Sequence, residues 1–160
     1  MEQTPRPEVA GQQRQLGGSP SEATGHPHDS QPPTRRKAVL VVDDEPALTI
    51  MLAEVFRRDD FVVETAADGE EALEKLEQRS YDVILCDVRM PRLNGPGFYR
   101  VIEQRAPALL SRVLFVTGAI LSPETRAFLR QTDAPVLEKP FSLGEISKVV
   151  RHILRAQERR

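Results

Sequence analysis

Apolar residues in this chain come in two alternating arrangements. Ala38-Val39-Leu40-Val41-Val42 is a short unbroken run, whereas Leu48, Met51, Leu52, Val55 and Phe56 recur at helical spacing. Short runs read as strands buried on both faces, and spaced stripes read as helices turning one face to a core. The alternation repeats five times. Residues 61–66, 81–87, 113–117 and 135–138 are the remaining predicted strands, each followed by a helical stripe. Strands that alternate with helices predict an α/β domain: a five-stranded, doubly wound parallel sheet.

Local signals punctuate the same pattern. Pro46 suits a first helical position, and Asp68 with Glu71 forms an expected capping box before Ala72, Leu73 and Leu76. Asn94-Gly95 closes the loop after the third strand, and Phe98, Val101 and Ile102 form the inner face of a helix expected to end near Pro107. Ser122-Pro123 opens a fourth helix with Ala127, Phe128 and Leu129 on its buried side. Ser142 and Glu145 cap the last helix, whose stripe is Ile146, Val149, Val150, Ile153 and Leu154.

The ends of these strands carry the chemistry. Asp43 and Asp44 end the first, Asp87 the third, Thr117 the fourth and Lys139 the fifth. Ligands of open α/β sheets bind outside the carboxyl ends of the strands, so all five side chains can converge at one edge. Three carboxylates that close repel one another unless a cation neutralises them, which implies a hard divalent ion such as Mg²⁺. With Asp87 as nucleophile and Thr117 and Lys139 as donors, the set suits phosphoryl transfer.

Composition narrows the classes. The chain has 160 residues, 22 basic and 24 acidic side chains and a formal charge of −2, so no overall basic surface points to nucleic acid. Cys86 is the single cysteine and sits inside an apolar run, which predicts a buried, inert thiol. Residues 1–36 are rich in Pro, Gly, Ser and Gln without an aromatic residue, and are expected to be a disordered tail. Within it, His26 and His28 lack the further ligands of a metal site, and Arg35-Arg36-Lys37 reads as a solvated boundary. No window approaches a membrane span, and a cytoplasmic location without membrane insertion is expected.

Taken together, Asp43-Asp44-Glu45-Pro46, Asp87-Val88-Arg89-Met90-Pro91 with Asn94-Gly95, Thr117-Gly118 and Lys139-Pro140-Phe141 resemble the receiver domain of two-component response regulators. The resemblance covers residues 37–156, with 157–160 as a C-terminal tail. It implies a flavodoxin-like (βα)₅ fold in which Asp87 takes a phosphoryl group from a sensor histidine kinase or a histidine phosphotransfer protein. It further implies that Asp44, Asp87 and the main-chain carbonyl of Arg89 bind Mg²⁺, with Asp43 acting through water. Thr117 and Lys139 would bind the phosphoryl group, and the Lys139-Pro140 peptide would be cis. With little sequence after Leu154, the chain is expected to be a stand-alone receiver rather than an enzyme, a monomer or weak dimer that signals to a downstream protein.

Two alternatives belong to other classes. A haloacid-dehalogenase-like phosphatase uses the same residue types, but its nucleophile follows the first strand in an Asp-x-Asp pattern, unlike Asp43-Asp44. A binding-only pseudo-receiver needs no acid cluster. A nucleotide-binding fold lacks support, because no Gly-rich loop follows the first strand. Two departures from the family pattern stand out. Val136 occupies the position of the usual switch aromatic, and Arg89 aims a long cation at the pocket mouth. Output is therefore expected from a backbone shift around residues 118–122, which an NMR comparison of that loop with and without the phosphoryl group would reveal.

Overall fold

The computed structural model describes residues 35–118 and 121–160. The expected tail falls outside the described residues up to position 34, as do positions 119 and 120 of the expected output loop. The elements run β1 (Ala38–Val42), α1 (Pro46–Arg58), β2 (Val62–Ala66), α2 (Gly69–Gln78), β3 (Val83–Asp87), α3 (Gly95–Arg105), β4 (Val113–Thr117), α4 (Pro123–Gln131), β5 (Val136–Glu138) and α5 (Leu143–Glu158). All strand pairs are parallel, in the order β2-β1-β3-β4-β5. The five-stranded sheet expected from the alternating pattern is therefore present.

The unbroken runs form the middle of the sheet because both of its faces are covered. Every residue of β1, β3 and β4 is buried. Alternate residues serve opposite faces: Ala38, Leu40 and Val42 pack with Phe98, Tyr99 and Ile102 of α3, whereas Val39 and Val41 pack with Leu52, Ala53 and Phe56 of α1 and with Ile146, Val150 and Ile153 of α5. Burying each such aliphatic side chain is worth roughly 1.5–3 kcal/mol, so this double layer is the main stabilising term. The edge strands β2 and β5 are less buried.

Several local expectations need correction. Met51 is exposed, and the inner face of α1 is instead Thr49, Leu52, Ala53 and Phe56. Ala127 is also exposed; α4 rests on the half-buried Phe128 and Leu129 and has no fully buried residue. At α2, Asp68 Oδ1 accepts from the Glu70 and Glu71 amides, but Glu71 reaches back to the Ala67 amide rather than to that of Asp68, so the reciprocal box is displaced by one residue. The Ser142–Glu145 box closes as expected. A 3₁₀ turn at Pro107–Arg112 follows α3, because Pro107 stops the helix while Leu109 and Leu110 still find apolar cover. The last helix runs to Glu158, and Arg35 pairs with buried Asp82, which also accepts from the Ala38 amide at 2.7 Å.

Ile84 is fully buried at the centre of β3, whereas Ile50 on α1 is 66% exposed. Ile84→Ala is expected to cost about 2–5 kcal/mol in urea unfolding, and Ile50→Ala to stay within about 0.5 kcal/mol.

Candidate functional site

The chain passes from β1 outward to β2 and then crosses to β3 on the other side of β1, which makes the gap between β1 and β3 a topological switch point. Asp43 and Asp44 leave β1 on one side of that gap, and Asp87 ends β3 on the other. A carboxylate oxygen from each of the three acids lies within 4.8 Å of the other two. Asp43 and Asp87 are buried, while Asp44 is exposed.

Lys139 directly follows β5, and the Lys139-Pro140 peptide after it is cis. Its ammonium donates to Asp43 Oδ2 at 2.9 Å and stands 3.7 Å from Asp87 Oδ1. Backbone amides supply further donors: Glu45 N–H to Asp43 Oδ1 at 2.8 Å, and Val88 N–H to Asp87 Oδ1 at 2.9 Å. Thr117 is buried at the end of β4, where its hydroxyl donates to the Gly118 carbonyl at 3.2 Å. It is Gly118 that lines the cleft beside it, together with Asp43, Asp44, Glu45, Asp87, Arg89 and Lys139, around an open volume of about 410 Å³. Glu45 and Gly118 are the lining residues that sequence reasoning did not assign; each is the chain neighbour of one that it did.

One ammonium serves more negative charge than it can cancel. Burial, then the like charge of Asp43 with a smaller share from Asp44, pushes the Asp87 carboxyl up to about 6, against the pull of Lys139 and the Val88 amide. Lys139 is opposed by its own burial, yet its hydrogen bond to Asp43 and the charges of Asp87, Asp43 and Glu45 raise its pKa above that of an ordinary lysine. Hard oxygen donors carrying surplus negative charge fit a small divalent cation, and Asp43, Asp44 and Asp87 are the residues that could hold it. Cys86, the neighbour of Asp87, is buried with its thiol pushed far up by desolvation, which makes it inert as a nucleophile.

The family model for the response regulator receiver domain matches residues 39–151. The chain belongs to this family. The receiver is 34% identical over 122 residues to the alkaline phosphatase synthesis transcriptional regulatory protein PhoP of Bacillus subtilis, covering 76% of this chain and 50% of that protein. It is 30% identical over 122 residues to the sensor kinase CckA of Brucella abortus, covering 75% of this chain and 13% of the kinase. It thus spans about half or less of the length of these relatives. Among solved structures, the chemotaxis protein CheY4 of Vibrio cholerae aligns with a TM-score of 0.66 at 31% identity, over 74% of this chain and 99% of that one. A CheY-like receiver domain protein from Methanospirillum hungatei aligns at 0.70 and 25% identity, over 78% and 98%. The fold and family implied by the strand-end motifs are thereby shown. Among the described residues, no helix is long and apolar enough to cross a membrane.

The raised carboxyl of Asp87 has a sign that can be checked. Its folded-state pKa, about 6, lies above the ordinary 3.8, so ionising it costs the native state; stability is full below the lower value and falls as pH rises through the upper one. In metal-free buffer, Asp87→Asn is therefore expected to stabilise the receiver at pH 8 by up to roughly 3 kcal/mol and to gain nothing at pH 3.5. Urea unfolding in EDTA at the two pH values measures this.

Proposed function

We propose that this receiver is a phospho-acceptor of a two-component relay, in which an Asp87 carboxylate oxygen attacks the phosphorus of a phosphohistidine on a partner kinase or phosphotransfer protein. The O–P bond to Asp87 forms as the donor's P–N bond breaks, and the protonated donor leaves as neutral imidazole. The single observation that carries this reading is the placement of the Asp87 carboxylate at the switch point, flanked by Asp43 and Asp44 and facing the Lys139 ammonium.

Each residue then has a task that its present contacts allow. Asp87 remains largely ionised at neutral pH with its pKa at about 6, so it is available as nucleophile. Lys139, now held by Asp43, lies close enough to Asp87 to pass to a phosphoryl oxygen once the negative charge has moved there. The Thr117 hydroxyl, spent on the Gly118 carbonyl, can turn about its side-chain bond to donate to the same group. Asp43, Asp44 and Asp87 would hold Mg²⁺, with the main chain of Arg89 as a further candidate ligand. When bound, that ion supplies charge neutralisation for the carboxylates and the incoming phosphoryl oxygens.

On this reading the domain works in the cytoplasm and signals by protein contact, as a monomer or weak dimer, without nucleic-acid binding of its own; a formal charge of −2 supports the last point. The names of the relatives include transcriptional regulators and a sensor kinase, and those whole-protein roles belong to chains of at least about twice the matched length.

Intact-mass analysis after incubation with a small acyl phosphate, with and without Mg²⁺, tests the proposal. A gain of one phosphoryl group that requires Mg²⁺ and is absent from Asp87→Ala is expected. A wild-type mass that never changes, with either a small donor or a phosphorylated kinase, would instead favour a binding-only receiver.

A further inference from the structure

The loop between Asp87 and α3 is pinned at two points. At its base the Gly95 amide donates to the Val88 carbonyl at 3.0 Å, and a Cβ on Gly95 would stand 2.6 Å from the Asp87 carbonyl oxygen. At its tip the Gly69 amide, at the start of α2, donates to the Leu93 carbonyl at 2.9 Å, and there too a Cβ would meet that oxygen, at 2.7 Å. Beside the second pin, Arg92 Nε donates to Asp68 Oδ2 at 2.6 Å, with the Arg92 Nη2 atom on the same oxygen. Asp68 is almost completely buried, and its two oxygens have separate tasks: Oδ1 caps α2 through the Glu70 and Glu71 amides, leaving Oδ2 for the guanidinium.

Arg92 makes this contact from a left-handed backbone, at φ 58°. Glycine adopts that conformation freely and an L-residue does so at a cost, so turn geometry alone would favour glycine at this position. What an arginine adds is its side chain. Between the two pins lies Arg89, which lines the cleft and whose guanidinium approaches Gly118 at the end of β4.

We propose that Arg92 is a positioning residue: clamped to the capping carboxylate of α2, it fixes the 88–93 loop so that the main chain at Arg89 is held at the metal-binding edge beside Asp87. This rests on the proposed reading of the acid cluster, with the Arg89 main chain, as a Mg²⁺ site. A ligand held in place before the ion arrives loses less freedom on binding, so the clamp acts on metal affinity rather than on the chemistry at Asp87.

Two substitutions separate the clamp from the fold. Arg92→Gly removes the cation while suiting the backbone, and Asp68→Ser keeps a capping oxygen while removing the ion pair and leaving the loop sequence intact. Calorimetric titration of the full chain with Mg²⁺ is expected to show affinity weakened about tenfold in either variant, with no further loss in the double variant. Amide exchange over residues 89–93 is expected to rise in both, and phosphorylation to return towards the wild-type rate at saturating Mg²⁺. Unchanged affinity in folded variants, or additive losses in the double variant, would overturn the clamp. A wild type that binds Mg²⁺ yet takes no phosphoryl group would overturn the phospho-acceptor reading and leave the clamp to stand on the affinities. A wild type that binds no Mg²⁺ would end both the metal site and the clamp.

Discussion

A single ammonium placed among three carboxylates is the constraint around which this molecule is arranged. Lys139 hydrogen-bonds to Asp43 and stands only at ionic distance from Asp87, so the acid at the end of β3 keeps an unpaid share of repulsion and a raised pKa. Such a cluster would relax into solvent if its backbone were free to move. It is held because β1 and β3, which carry Asp43 and Asp87, are buried along their whole length and paired in register from Val39 with Val83 to Val42 with Cys86. The apolar layers on the two faces thus maintain an electrostatically unfavourable edge, and on the proposed function a divalent cation would relieve it.

Most of the architecture was legible in the sequence because parallel strands covered on both faces leave an unmistakable run of apolar residues. The misreadings fall where periodicity alone is ambiguous. Met51 fits the helical spacing of α1, yet Thr49 and Ala53 take the inner face, since a stripe can be drawn on either side of Leu52 and only packing decides between them. Ala127 fits an inner stripe for the same reason, yet it is exposed on a helix that leans on the sheet through Phe128 and Leu129. The 3₁₀ turn after α3 had no signal beyond Pro107, because its register is set by what Leu109 and Leu110 can reach.

The candidate site residues stood out in the sequence because a polar residue closing an apolar run is visible in the chain itself. What could not be read was direction and distant pairing. Thr117 ends β4 as expected, but that its hydroxyl turns to the Gly118 carbonyl depends on a rotamer. Asp68 announced itself as a helix cap, whereas its second partner Arg92 lies 24 residues away on another loop. Asp82 and Arg35, 47 residues apart, form a comparable pair at the opposite end of β1. Contacts of that separation leave no local pattern, and they become visible only once the sheet has brought their loops together.

The buried aspartates of this fold show how one residue type serves two ends. Asp68 is opposed by its own burial, but the Glu71 and Glu70 amides and the Arg92 guanidinium outweigh it and hold its carboxyl below the ordinary value. Asp87 is comparably hidden from solvent, yet one amide and a shared ammonium do not match its burial and the like charge of Asp43, and its carboxyl is held above it. The first arrangement lowers the free energy of the folded chain and has nothing left to give a ligand. The second raises that free energy, and the surplus is released to whatever neutralises the cluster. A carboxylate held below its ordinary pKa and one held above it are thus set apart by how completely their neighbours offset their burial, and here that balance separates the cap of α2 from the end of β3.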